Sequence, residues 1–210
     1  MAKLIIFDFD GTLADTLNAV LSITNRLSEE FGYSPATQQE LAQIRELNSW
    51  EIVQRSGISV FKLPFLVGKV RAELKNEIQE VSLFPGIQEM LIELKNQGYN
   101  LGIVTSNSQE NVLALMEKNG LQGIFNFIYS GTTLFGKHKI LKTIMKQEAV
   151  TSGEVVYVGD ETRDIDAAKQ AAVKVIAVGW GFNAKAALAE HHPDYLIERP
   201  EELIEILKSW

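Results

Sequence analysis

The hydrophobic pattern of this chain changes character twice. Leu4-Ile5-Ile6-Phe7 is a short, continuous apolar run, the mark of a strand covered on both faces. Residues 15–81 then follow a helical period. Leu17, Val20, Leu21, Thr24, Leu27 and Phe31 recur three or four apart until Gly32 stops them, and similar spacing continues over 38–47, 49–56 and 64–79 without a strand. From about residue 82 strand and helix alternate. Pro85-Gly86 opens a helix with Ile87, Met90, Leu91 and Leu94 on its apolar face, and Gly98 closes it. Leu101-Gly102-Ile103-Val104-Thr105 reads as a strand, and Asn107 with Glu110 as a capping box for a helix ending near Gly120. Phe127-Ile128-Tyr129, Val155-Val156-Tyr157-Val158 and 173–178 are further strands, with helices over 138–148 and 162–171; Pro200 opens the last helix.

Alternation of this kind requires right-handed crossovers and a sheet covered on both sides. The pattern therefore predicts an α/β fold: a Rossmann-like, doubly wound parallel sheet with an inserted α-helical cap. Residues 1–14 and 82–210 form the expected core and 15–81 the expected cap.

Composition narrows the function classes. At 210 residues the chain fits one domain plus a sizeable insertion. Its formal charge of −7 argues against nucleic acid or an anionic membrane as partner. There is no cysteine, which excludes disulfides, zinc–thiolate centres and thiol nucleophiles. The first apolar run is too short for a signal peptide and no stretch reaches membrane-spanning length, so a cytoplasmic protein is expected.

The chemistry sits at strand ends. Asp8 and Asp10 follow the first strand in Asp8-Phe9-Asp10-Gly11-Thr12, and Asp160 and Asp164 follow another in Gly159-Asp160-Glu161-Thr162-Arg163-Asp164. Carboxylates ending buried strands are costly unless paired, and two such clusters on neighbouring strands repel unless a cation lies between them. Ligands of open parallel sheets bind beyond these carboxyl ends, where Thr105-Ser106-Asn107 also falls. Lys137 precedes a helix that leads back to the sheet. Oxygen donors beside a phosphate suit Mg²⁺, whereas zinc favours histidine or cysteine. A calcium EF-hand loop fails, because Ile6 and Leu17 stand where it needs acids.

In this order and at this spacing, the residues resemble the haloacid dehalogenase superfamily, over essentially the whole chain. A helical insertion directly after the first motif is similar to its phosphoglycolate phosphatase and β-phosphoglucomutase group. The resemblance implies that Asp8 is a nucleophile forming an aspartyl phosphate and that Asp10 protonates the leaving oxygen and then activates water. It implies that Thr105 donates to the phosphate and that Lys137 offsets its charge. Gly11, Ser106 and Asn107 would shape the phosphate site. Magnesium would be held by Asp8, the Asp10 carbonyl, Asp160 and Asp164, the last directly or through water. The partner would be a small phosphorylated metabolite.

Rival readings attach to several of these residues. Lys139 competes with Lys137 and Ser106 with Thr105, and Glu161 is a minor candidate ligand. His191-His192 reads as a helix end and Trp180 as a packed loop residue, while Arg45 is the basic residue of the insertion that would meet a substrate carboxylate. A sugar phosphomutase uses the same core residues and remains the runner-up. A phospho-acceptor regulatory module would lack the Asp10-Gly11-Thr12 segment and the cap.

Overall fold

A computed structural model describes residues 2–131 and 136–209. Among them, six strands form one sheet: β1 (Leu4–Phe7), β2 (Asn100–Val104), β3 (Phe127–Tyr129), β4 (Val155–Gly159), β5 (Lys174–Val178) and β6 (Tyr195–Ile197). Their order is β3-β2-β1-β4-β5-β6 and every pairing is parallel. The order reverses between β1 and β4, which opens a crevice beyond their carboxyl ends.

Strand periodicity divides the core into two layers. Ile5, Phe7, Val156, Val158, Ile176 and Val178 pack on one side of the sheet. Leu4, Ile6, Val155, Tyr157, Val175 and Ala177 pack on the other. Both faces are thus dry, which is why these strands read as unbroken apolar runs rather than alternating ones.

Four helices lie between β1 and the next core helix: α1 (Leu17–Phe31), α2 (Gln38–Ile44), α3 (Ser49–Ser56) and α4 (Leu63–Glu77). Gly32 ends α1 in the left-handed conformation, its N–H bonded to the Ser28 carbonyl, as the pattern predicts. Ile23, Leu27 and Phe31 of α1 are buried, as are Leu63 and Leu74 of α4, and the two helices pack together. The segments leading into and out of this insertion run side by side. Asp15 N–H donates to Ser82 O at 2.9 Å, Phe84 N–H to Leu13 O at 3.1 Å, and Ala14 and Leu83 form an antiparallel bridge.

The remaining helices are α5 (Ile87–Asn96), α6 (Gln109–Lys118), α7 (Lys137–Gln147), α8 (Thr162–Gln170), α9 (Lys185–Glu190) and α10 (Glu201–Lys208). Most boundaries fall within two residues of the pattern. One assignment changes: the cap of α6 is Ser108, whose Oγ accepts from Asn111 N–H at 3.2 Å, and not Asn107. β6 escapes the pattern altogether because it is three residues long and only Ile197 is buried. No helix among the described residues is long and apolar enough to cross a membrane.

Candidate active site

Parallel register brings the two acid clusters together. Phe7 pairs with Val158 on one side and Ile103 on the other, so Asp8 comes level with Gly159 and Val104. Asp8 N–H continues the ladder by donating to Val158 O at 2.9 Å. Asp8, Asp160 and Asp164 are all buried, and each offers a carboxylate oxygen within 4.8 Å of the others.

Lys137, at the start of α7, stands between two of these acids. Its Nζ lies 2.5 Å from Asp8 Oδ2 and 2.6 Å from Asp164 Oδ1, above the Tyr157 ring at 5.7 Å from its centre. Burial pulls the ammonium pKa down, but Asp164 and Asp8 outweigh it and hold it above its ordinary value. The rival Lys139 is exposed. Burial raises Asp8 to about 7 although Lys137 opposes the rise; Asp164 adds to it. Its Oδ1 accepts the Phe9 N–H at 2.8 Å.

Asp160 is enclosed more tightly. Thr12 Oγ1 donates to its Oδ1 and Phe182 N–H to its Oδ2, both at 2.7 Å. A Cβ on Gly11, where φ is +76°, would stand 2.1 Å from Asp160 Oδ2, and one on Gly181 would stand 2.4 Å from the same atom. Only glycine admits this approach. Even so, burial and the charges of Glu161 and Asp8 keep the Asp160 carboxyl well above the usual range. Three buried carboxylates facing one ammonium leave an excess of negative charge, so the oxygen set fits a divalent cation.

Asp10 reaches the site by a turn. β1 stops at Phe7 and the chain bends at Phe9, so Asp10 is aimed by the turn and not by the strand. Asn107 Nδ2 donates to Asp10 Oδ1 at 3.0 Å, while burial raises the Asp10 pKa. Thr105 is fully buried and its Oγ1 accepts Asn107 N–H at 2.9 Å; Ser106 is half-buried. Ser108 N–H turns to Asn107 Oδ1, so the first two amides after Ser106 are satisfied inside the turn.

His191 ends α9 and Trp180 is a packed loop residue, both as expected. Glu161 is engaged by Arg163, with Nη2 at 2.9 Å from Oε1 and a second, close contact from Nε to Oε2. His191 Nδ1 faces Asp166 Oδ1 at 3.0 Å, away from the acid cluster. Trp180 packs against Phe84 and donates its indole N–H to Thr12 O at 3.0 Å. Arg45 donates to Phe182 O at 3.1 Å and Gly181 O at 2.8 Å, in the segment that encloses Asp160. Thr12, Asn111, Tyr157 and Asn183 were not foreseen. Thr12 stands inside the first motif, but the others carry no local signal and matter only through partners distant in sequence.

A family model described as haloacid dehalogenase-like hydrolase matches residues 5–178. A phosphoglycolate phosphatase of Synechococcus elongatus is 38% identical over 201 residues, covering 96% of this chain and 95% of the relative. A phosphoglycolate phosphatase of Vibrio cholerae is 26% identical, covering 98% of this chain and 96% of its own. A solved haloacid dehalogenase-like family protein of Streptococcus pneumoniae superposes with a TM-score of 0.80 at 24% identity, over 98% of both chains. That likeness establishes the fold.

Proposed function

We propose that this chain, which belongs to the haloacid dehalogenase-like hydrolase family, is a magnesium-dependent phosphatase that cleaves a small phosphomonoester, phosphoglycolate first among candidates, through an aspartyl phosphate. The single observation that carries the reading is the buried Asp8 carboxylate, paired with Lys137 and within 4.8 Å of Asp160 and Asp164. A nucleophile, a cation for the transferring group and a set of oxygen ligands stand at one strand end.

The steps follow from these groups. An Asp8 oxygen attacks phosphorus in line, the P–O bond to the alcohol breaks, and the Asp10 carboxyl hands its proton to the departing oxygen. The resulting Asp10 carboxylate takes a proton from water, whose oxygen attacks phosphorus. The bond to Asp8 then breaks and inorganic phosphate leaves. Burial raises the Asp10 pKa, which favours the protonated form that the first step needs. Lys137 favours the ionised form of Asp8 and offsets charge on the phosphoryl oxygens. Thr105 and the turn through Ser106 and Asn107 border the phosphate, and Gly11 lets the chain clear Asp160. A divalent cation held by Asp8, Asp160 and the Asp10 carbonyl, with Asp164 direct or through water, would neutralise the phosphoryl oxygens; oxygen-only donors favour magnesium.

Residues 15–81 act as a cap over a core of 1–14 and 82–210, hinged where Asp15 and Ser82 run side by side. The mutase alternative is not favoured, since the Synechococcus elongatus and Vibrio cholerae relatives, matched over nearly their full lengths, are phosphoglycolate phosphatases. The test is Asp8→Asn, assayed with magnesium over a panel of small phosphate esters. Turnover by wild type and its loss in the variant are expected; full activity of Asp8→Asn would sink the mechanism.

A further inference from the structure

Packing within the insertion leaves a gap. A cavity of about 460 Å³ lies among α1, α2 and α3, walled by Leu17, Val20 and Leu21 of α1, Leu41 and Ile44 of α2 and Ile52 of α3. All six are only half-buried, and no described residue of α2 is buried outright. These helices therefore turn apolar side chains towards a space that protein atoms do not fill. The exposed residues of the lining are Ser34, Pro35, Glu40, Gln43 and Arg55, which puts the opening between the 34–35 turn, α2 and the end of α3.

Polar groups along the wall are satisfied by their own helices and turns. Tyr33 Oη donates to Thr24 O at 2.5 Å, and Thr24 Oγ1 to Val20 O at 2.8 Å. Asn25 and Ala36 exchange two hydrogen bonds, both at 2.8 Å. Ser56 Oγ donates to Val53 O at 2.9 Å, and Glu40 accepts Thr37 N–H at 2.8 Å. Water held in such a space needs about two to four polar partners, and these walls offer few. The volume falls in the roughly 300–1,000 Å³ range of small-molecule sites, which are likewise apolar with a few polar groups that fix orientation. Here that group is Arg55, in the last turn of α3, which pairs with no carboxylate among the described residues.

None of Asp8, Asp10, Lys137, Asp160 and Asp164 lines this cavity, so it is separate from the phosphate site. Phe182 joins the two regions: it belongs to the cavity wall, and its N–H donates to Asp160 Oδ2 at 2.7 Å. An occupant with an apolar body would remove the half-buried side chains from water. A carboxylate at its end would meet the guanidinium, whose planar fork matches that group. We propose that the cavity is a binding site for an amphipathic monocarboxylate, its hydrocarbon tail among α1, α2 and α3 and its carboxylate on Arg55. The assignment is independent of the phosphatase reading, because neither Arg55 nor the apolar wall takes part in that chemistry.

Isothermal titration calorimetry of the whole chain tests this with octanoate, decanoate and 1-octanol as probes, each below its micellar or solubility limit. One saturable site per chain is expected for all three. Decanoate should bind roughly 10-fold more tightly than octanoate, since each buried methylene adds about 3- to 4-fold. Arg55→Gln should weaken octanoate and decanoate by about 5-fold, the upper effect of a solvent-exposed charge pair, and leave 1-octanol unchanged. Leu21→Trp, which fills the space for the tail, should abolish binding of all three while thermal melting shows a folded chain. Should that variant fail to fold, Ile44→Trp, on a helix that buries none of its described residues, must abolish binding instead. Excess inorganic phosphate should leave the decanoate affinity as it is. Absence of saturable binding, binding that survives filling of the cavity, or an Arg55→Gln chain that keeps wild-type affinity for the carboxylates would overturn the inference. So would loss of decanoate binding in phosphate, which would place the probe at the aspartates.

Discussion

Lys137→Met tests the electrostatics of the site most directly. Lys137 is 1% exposed at its side chain and lies 2.5 Å from Asp8 and 2.6 Å from Asp164. Methionine keeps much of the packed stem and removes the ammonium, leaving Asp8, Asp160 and Asp164 facing one another without the charge that separates two of them. Removing one partner of a buried pair costs about 3–5 kcal/mol, a large share of the roughly 5–15 kcal/mol that a domain possesses. In a chain of this length about 1 kcal/mol moves the melting point by roughly 2–4 °C, so a fall of roughly 6–20 °C is expected. Turnover should drop by about 10²–10³, the usual effect of deleting a donor aimed at the transferring group. The assay is thermal melting at pH 8 in chelator, repeated with magnesium, beside initial rates on 2-phosphoglycolate. Magnesium should narrow the stability gap by supplying the missing positive charge, and should leave the catalytic defect in place. The exposed Lys139 serves as control, since Lys139→Met should change stability by no more than about 0.5 kcal/mol. A Lys137→Met protein that melts with wild type and turns over at the wild-type rate would refute the reasoning.

Two further outcomes follow from the same geometry. A carboxyl raised to about 7 in the folded chain, as Asp8 is, keeps a proton that the unfolded chain has already released. Metal-free protein should therefore lose stability as pH rises from about 4 towards 7, with Asp160 acting in the same sense; chelated melts at pH 5, 6, 7 and 8 check this, and a rise in stability across that window would contradict the burial argument. Asn183 joins the insertion to the core, accepting Thr162 N–H at 2.9 Å and donating to Arg45 O at 3.0 Å and Leu47 O at 2.9 Å. Asn183→Ala should speed amide hydrogen exchange around α2 and α3 by about 1–3 kcal/mol of opening energy while the central strands keep their protection; unchanged exchange there would remove Asn183 as a latch.

Much of the site was legible because its residues sit at strand ends. Buried parallel strands announce themselves by continuous apolar runs, and a charged residue ending such a run is conspicuous for the same physical reason that it is functional. Asp8, Asp10, Thr105 and Asp160 stand just past such runs in the sequence, and folding brings Asp8 and Asp160 within 4.8 Å of Asp164, which lies on α8. Where the reasoning relied on local geometry it went astray. Asp10 lies past the end of β1, and a bend at Phe9 and the Asn107 amide aim it. Asn107 looked like a helix cap, yet Ser108 caps α6 and leaves Asn107 to the site.

Arg45 marks the boundary between the two kinds of information. Helical spacing announced α1 to α4 because period and glycine stops are properties of adjacent residues. What Arg45 meets depends on how the loop at 179–184 folds back onto Asp160. Those contacts join residues as much as 138 positions apart, such as Asn183 and Arg45, and no local pattern encodes them. The alternation of strands and helices and the acids that follow two of the strands are present in the linear pattern, since burial on both faces acts residue by residue, whereas the strand order and β6 are not. The partners of each side chain and the shared field of three carboxylates and one lysine came into being only when parallel register and helix packing brought distant segments together.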